Sequence, residues 1–422
     1  MSSARNRINH CEITPSISLV TEQLPRYYSF SLGLFIDYGS RDESPSNNGI
    51  SHLLEHMLFK GTSNRSSLDI VKYIEGLGGA FDAYTTKENL VIITKFLSEH
   101  ISNVFNLICE LLLESKIARQ ELIKEKSVIL EEIKSNIEDP SDYVFDLFFK
   151  SLFPDHAIGR SIAGTVKSVK KIDVRKTKDH YRKLLTKDFV IAVSGNFNRK
   201  KAQELAADKF GHLQAVKTRR IKPVAQYGKT IVQQKKDISQ VHVVFGLPGV
   251  AFTSPLRYHF SIMNTAFGGG MSSRLFQGLR EQKGLVYNVQ SFLDFYSDCG
   301  ISGFYFVCDK DNLKGVAKQL KAIYADLEKS GFQKEEIELA KTYLSGNLLL
   351  SLESSTNRML RLGREMLNFG KTTTIDNVIT KIGKISEQQV NALIEKYLSP
   401  KKYTIAAIGP ITKKEIDDIF RT

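Results

Sequence analysis

His52 and His56 stand four residues apart with Glu55 between them, and these are the residues of the chain best suited to hydrolytic metal chemistry. On a helix of 3.6 residues per turn, positions i and i+4 share a face and i+3 lies beside them. Both imidazoles could therefore meet one zinc ion while the carboxylate reaches that ion's water. A hydrolytic zinc keeps three protein ligands and one open position, where it lowers the pKa of water to about 7. Two histidines leave one ligand to be found. The segment 121–136 has the apolar spacing of an amphipathic helix, and within it Glu125 and Glu132 are two turns apart on one face. Glu132 is the expected third ligand, and Glu125 a supporting acid that orients a histidine or tunes the water. The chemistry would be attack of activated water on a peptide carbonyl, with Glu55 taking the proton and returning it to the leaving amine.

The stretch Gly49-Ile50-Ser51-His52-Leu53-Leu54-Glu55-His56-Met57-Leu58-Phe59-Lys60-Gly61-Thr62 resembles the inverted zinc motif of the pitrilysin and mitochondrial-processing-peptidase family. In that family a ligand glutamate follows the second histidine by some 76 positions, where Glu132 stands, and another glutamate lies seven residues earlier, where Glu125 stands. The likeness continues through residues 78–85, 159–165 and 268–276, so it runs nearly end to end. It implies one zinc per chain and endopeptidase action on short or unfolded polypeptides inside an enclosed chamber. It also implies that Phe81, Asp82, Ala83, Tyr84 and Thr85 form a sheet edge on which an extended peptide pairs. Arg280 and Tyr287 resemble the family's second-domain pair that contacts substrate and the reacting carbonyl. Two-domain relatives act as pairs, so a homodimer is expected, the zinc of one subunit facing Arg280 and Tyr287 of the other. The alternative is a non-catalytic structural or partner-binding subunit, as among relatives that have lost zinc ligands; here every ligand position is filled.

The elements that must position these groups recur within the chain. Residues 188–195 close the first half as 401–409 close the second, with Gly195 and Gly409 separated by 214. The same offset maps Ile123 onto Ile337, and 90–96 has a loose counterpart in 303–307. A period this long exceeds any solenoid unit and reads as two duplicated domains. They have diverged in chemistry: the offset takes Glu132 to Gly346 and Glu125 to Leu339, and the counterpart of the histidine helix, near 260–267, holds no His or Glu. Only the first copy can bind zinc. The expected organisation is a zinc-binding catalytic domain over 1–216, a basic linker over 217–236, and a homologous second domain over 237–422. Each domain mixes strands with long amphipathic helices without strict alternation, which predicts an α+β fold: an antiparallel sheet with helices packed on one face.

Composition is ordinary for a globular chain, 42% hydrophobic and 25% charged over 422 residues. The net charge of +13 comes from lysines spread along the chain, with no nucleic-acid motif and no interleaved aromatics, so no nucleic-acid role is expected. Four cysteines without Cys-x-x-Cys spacing indicate neither a disulfide scaffold nor a structural zinc site. No run of 18 apolar residues predicts a transmembrane segment, and the amino terminus lacks a secretory core. A reduced cytoplasmic setting is expected; Arg5 and Arg7 among serines leave an organelle matrix as the other option.

Overall fold

The computed structural model describes residues 8–213, 220–398 and 402–421. Two sheets organise them. The first joins β1 (Ile8–Thr14), β2 (Ile17–Gln23), β3 (Ser29–Ile36), β4 (Ala80–Thr85), β5 (Leu90–Leu97) and β6 (Phe189–Gly195) in the order β1-β2-β6-β3-β5-β4. The second joins β7 (Thr230–Gln234), β8 (Gln240–Pro248), β9 (Asn288–Phe295), β10 (Gly300–Asp309) and β11 (Thr404–Gly409) in the order β7-β11-β8-β10-β9. From β2 to β4 the first order matches the second from β7 to β9, strand for strand. Each sheet is antiparallel but for one parallel contact at the matching place, β2 with β6 and β7 with β11. The duplication legible in the sequence is thus a duplication of topology.

The helices that matter to the first sheet are α1 (Ile50–Leu58), α2 (Ser67–Gly76), α3 (Ile101–Leu113) and α4 (Arg119–Glu138), followed by α5 (Pro140–Leu152). The helix predicted over 121–136 is the body of α4. Strands β3 and β6 are buried at essentially every position, the mark of a sheet covered on both faces. Helices therefore lie on both sides rather than on one. Against one face the helix Ser355–Phe369 seats Met359, Leu362 and Met366 on Phe35, Val91, Val190 and Ala192.

That helix comes from the far end of the chain, so the compact units are not the contiguous spans 1–216 and 237–422. One comprises the chain to Lys134 with Ser161–Ile221 and Leu350–Thr373; the other comprises Ser135–Arg160, Lys222–Leu349 and Thr374 onward. Helix α5 and the helix 355–369 have traded sheets. On the second sheet α5 places Val144, Phe148 and Leu152 against Val244, Ala406 and Ile408. Glycine makes both seats: a Cβ on Gly33 would lie 2.2 Å from Met359 Sδ, and one on Gly246 would lie 2.2 Å from Phe148 Cζ. Only a strand residue without a side chain lets a helix approach so closely. Polar contacts fix the register of the first seat, where Ser31 Oγ lies 2.9 Å from the hydroxyls of both Ser355 and Thr356 and Arg358 pairs with Glu22 at 2.7 Å.

The basic linker expected over 217–236 starts at 217–219, outside the described residues. Its described part is tied down at Arg220, which pairs with Asp37 at 2.7 Å and Asp42 at 2.8 Å with its side chain largely buried. Beyond it the segment runs into β7.

On the helix Val174–Leu184, His180 is buried between Tyr38, 3.3 Å from Nδ1, and Ser51 of α1, 3.0 Å from Nε2. Burial, and secondarily the charge of Lys183, lowers its pKa to about 3 from the ordinary 6.5. Between those values the unfolded chain takes up a proton that the folded chain refuses, so this site lowers stability as pH falls from 6.5. His180→Gln should make the urea midpoint less sensitive to pH between 7 and 4 than in the parent, which equilibrium unfolding at each pH will read.

Candidate metal centre

Helix α1 is nine residues long, a length that is marginal for an isolated helix, so its position must be imposed from outside. Its first backbone amides find their acceptor in Glu43, six residues before Gly49. The Glu43 carboxylate accepts from Gly49 N and Ser51 N, each at 2.8 Å, and from Asn48 Nδ2 at 3.0 Å. A side-chain cap is needed because Gly49, in the left-handed region at φ 95°, has none to give. Gly49 and Gly164 stand back to back: a Cβ on either would come within 2.5 Å of a carbonyl oxygen of the other's loop. Asn48 Nδ2 also donates to Ser161 O at 2.9 Å. The glycine-containing stretch around Ser161–Thr165 is thus a cradle for the start of α1.

With α1 seated, His52 and His56 project toward α4, and the structure brings them together with Glu132. The two Nε2 atoms lie 3.3 Å apart, His52 Nε2 is 3.8 Å from Glu132 Oε2, and His56 Nε2 is 3.9 Å from Glu132 Oε1. Among the described residues this is the group of three donors, all within 4.8 Å of one another, that could hold a metal ion. A tetrahedral ion with bonds of about 2.0–2.1 Å sets its ligand atoms roughly 3.3–3.5 Å apart, so the triangle fits zinc with small adjustments. The donors are right as well, two imidazoles and a carboxylate. Burial and the neighbouring His56 charge lower the His52 pKa to about 4, which favours the neutral imidazole that binds metal. Glu132 keeps 44% of its side chain exposed, so the centre opens to solvent on that side.

Two carboxylates flank the triangle. Glu125 lies in the buried stripe of α4 with Leu122, Ile129 and Ile133. It receives His56 Nδ1 at 3.0 Å and Lys60 Nζ at 2.8 Å. Glu55 is held by Thr85, whose hydroxyl donates to Oε2 at 2.6 Å and whose backbone N–H adds a second bond. Burial raises the Glu55 pKa, with the Thr85 bonds and His56 opposing.

Thr85 ends β4, and among the described residues β4 is an edge strand pairing with β5 alone. Thr86 N donates to Asn89 O at 2.7 Å at the hairpin turn. Alternation from that pair leaves the backbone groups of Phe81, Ala83 and Thr85 facing away from β5. Thr85 spends its amide on Glu55, and Ala83 N donates to Asp82 Oδ1 at 2.8 Å. Phe81 packs edge-on against Phe59, with ring centroids 5.4 Å apart, while Tyr84 joins the cluster under helix 355–369 on the opposite face.

Arg280 and Tyr287 lie in the other compact unit. Arg280 sits on a π-helical turn over Phe276–Glu281, exposed, with its guanidinium 5.1 Å from the centre of the Phe276 ring. Tyr287 is 74% exposed, its backbone N–H fixed by Val307 O at 2.9 Å. Arg274, in the glycine-rich stretch, is spent internally: it pairs with Asp326 and with both carboxylate oxygens of Glu336 and donates to Gly331 O. It shapes that loop.

Sequence reasoning missed three residues of this site. Glu43 left no local signal, because a carboxylate six residues before a helix is not a recognised cap position. Thr85 was expected only as part of the peptide edge, not as the holder of Glu55. Lys60 stands at i+4 from His56, a spacing that could have flagged it.

A duplicated α+β chain bearing an inverted pair of histidines and a distant glutamate is the class that fold and site define. Residues 18–166 match the family model described as insulinase, peptidase family M16, and 171–344 match the one described as the peptidase M16 inactive domain. An uncharacterized zinc protease of Mycobacterium leprae is 34% identical over 94% of this chain and 91% of its own. A Bacillus subtilis protein of the same description is 33% identical over 93% and 96%. Among solved structures, a peptidase M16 inactive domain from Pseudomonas fluorescens superposes with a TM-score of 0.87 at 21% identity, covering 96% of this chain and 98% of that one. A protease from Helicobacter pylori gives 0.87 at 19%, covering 95% and 99%. The chain belongs to peptidase family M16.

Replacing Glu43 with Ala removes acceptors from three buried donors, and bonds to a charged group contribute about 1.5–3 kcal/mol each. Glu43→Ala should cost at least about 3 kcal/mol in equilibrium unfolding and weaken metal uptake by the purified protein.

Proposed function

We propose that the protein is a zinc-dependent endopeptidase hydrolysing short or unfolded polypeptides, with His52, His56 and Glu132 as the ligands. The observation carrying this reading is the convergence of those three donor sets within 4.8 Å beside the part-buried Glu55. Zinc bound there would polarise the scissile carbonyl and acidify a water. Glu55 takes the proton of the attacking water and hands it to the leaving amine; a carboxyl pKa raised by burial brings it nearer the range of an efficient base at neutral pH. Glu125 holds His56 by its far nitrogen, and Thr85 holds Glu55. An extended peptide pairs along β4, where the outward backbone groups of Phe81 and Ala83 meet it once Asp82 releases the Ala83 amide. Main-chain pairing accepts any sequence that can be drawn out as a strand, which suits unfolded substrates.

Arg280 and Tyr287 complete the site around the reacting carbonyl and the substrate, from the second subunit of a homodimer enclosing a chamber. Their exposure in the single chain supports this. Among the described residues no helix is long and apolar enough to cross a membrane, and none of Cys11, Cys109, Cys299 and Cys308 is in a disulfide; a reducing cytoplasmic setting accords with the latter. The matched model described as inactive covers 171–344 and contains none of His52, Glu55, His56 or Glu132. That description therefore bears on the second half, and the intact first half favours catalysis over a purely structural subunit.

Glu55→Gln should retain zinc while kcat on unstructured peptides falls about 10²- to 10⁴-fold; metal content per chain and turnover, before and after chelation, will separate the two effects, and undiminished turnover would remove Glu55 from its role. Mixing Glu55→Gln chains with Arg280→Ala chains should restore part of the activity in verified mixed dimers. Absence of any recovery there would show that each site is completed within one subunit.

A further inference from the structure

We infer that Lys60 is a positioning residue for the metal centre, acting through the Glu125 carboxylate on the His56 ring. The inference deepens the zinc reading above and rests on it. Lys60 follows α1 by two residues, and its backbone N–H donates to Met57 O at 3.1 Å, which keeps it one turn beyond His56 on the same side. Its ammonium lies 2.8 Å from Glu125 Oε1 while His56 Nδ1 lies 3.0 Å from Oε2. One carboxylate thus bridges a lysine and a ligand histidine, each on its own oxygen.

Glu125 cannot stand alone in its position. Its side chain is 7% exposed and sits in the apolar stripe of α4, where an anion without partners is costly. His56 as a metal ligand is neutral and supplies one N–H but no charge. Lys60 supplies the charge, and it lies where the partial negative end of α1 also favours a cation. With the ammonium in place the carboxylate stays turned inward, its second oxygen fixed on Nδ1, so that Nε2 faces His52 and Glu132. His52 has no equivalent support: its Nδ1 is buried with no hydrogen-bond partner among the described residues. Preorganisation of the histidine pair therefore falls on the Lys60–Glu125–His56 line.

Partners that orient ligand histidines typically carry about 10- to 100-fold in metal affinity. The test is the zinc Kd of the full-length protein, measured by competition with a chromophoric chelator, for the parent, Lys60→Met, Lys60→Arg, Glu125→Gln and the double variant Lys60→Met/Glu125→Gln, with the unfolding midpoint of each metal-free protein measured alongside. Lys60→Met should weaken zinc about tenfold or more and also lower the metal-free midpoint, since it strips the buried Glu125 of its cation, whereas Lys60→Arg should restore most of both. In the Glu125→Gln background Lys60→Met should add less than about twofold, since its route to His56 is already cut. Unchanged affinity in Lys60→Met, or an equal loss with and without Glu125, overturns the inference and leaves the zinc reading intact. A parent protein that takes up no zinc overturns both.

Discussion

A nine-residue helix that carries two of the proposed metal ligands cannot position itself, and much of the first compact unit can be read as the means of holding α1 at both ends. Glu43 anchors the start through the amides of Gly49 and Ser51, the Gly49–Gly164 junction lets the neighbouring loop close over it, and His180 reaches Ser51 from a third direction. Near its end, Glu125 and Lys60 hold His56. These contacts are polar and mostly buried. In a low-dielectric interior such groups are strongly directional when satisfied and costly when not, which suits them to fixing a geometry rather than merely adding stability.

The second sheet repeats the first without its chemistry. Equivalent strands keep their order and their single parallel contact, while Leu339 and Gly346 stand where an offset of 214 would place Glu125 and Glu132. What survives the duplication is the packing requirement: a glycine in β3 and another in β8, each opposite a large helix side chain. What the second copy does not carry is the proposed ligand set. The two can differ independently because they lie on different elements, the packing glycines on the strands β3 and β8 and the proposed ligands on the helices α1 and α4.

How much of this could be read from residues alone differs by the kind of information involved. His52, Glu55 and His56 follow from helical spacing, and Glu132 from its place on an amphipathic helix together with the resemblance, because these are local periodicities. The duplication was legible as an offset. The exchange of α5 with the helix 355–369 was not, because an amphipathic helix announces that it has an apolar face and not which sheet will receive it. Coverage of both sheet faces was missed for a related reason: the full burial of β3 depends on helices far away in the chain. Glu43 and Lys60 escaped because a buried carboxylate or a half-buried lysine looks like a surface charge until its partners, up to 65 positions away in the case of Lys60 and Glu125, are brought to it.

The traded helices also dictate when the site can mature. All three proposed ligands have left the ribosome long before Ser355 does, yet the sheet that backs them keeps Phe35, Val91 and Val190 uncovered until Met359, Leu362 and Met366 arrive. Contacts this distant in sequence form late and slow the assembly of a chain. A nascent or truncated polypeptide would carry the proposed ligand side chains without the wall that Met359, Leu362 and Met366 complete behind them.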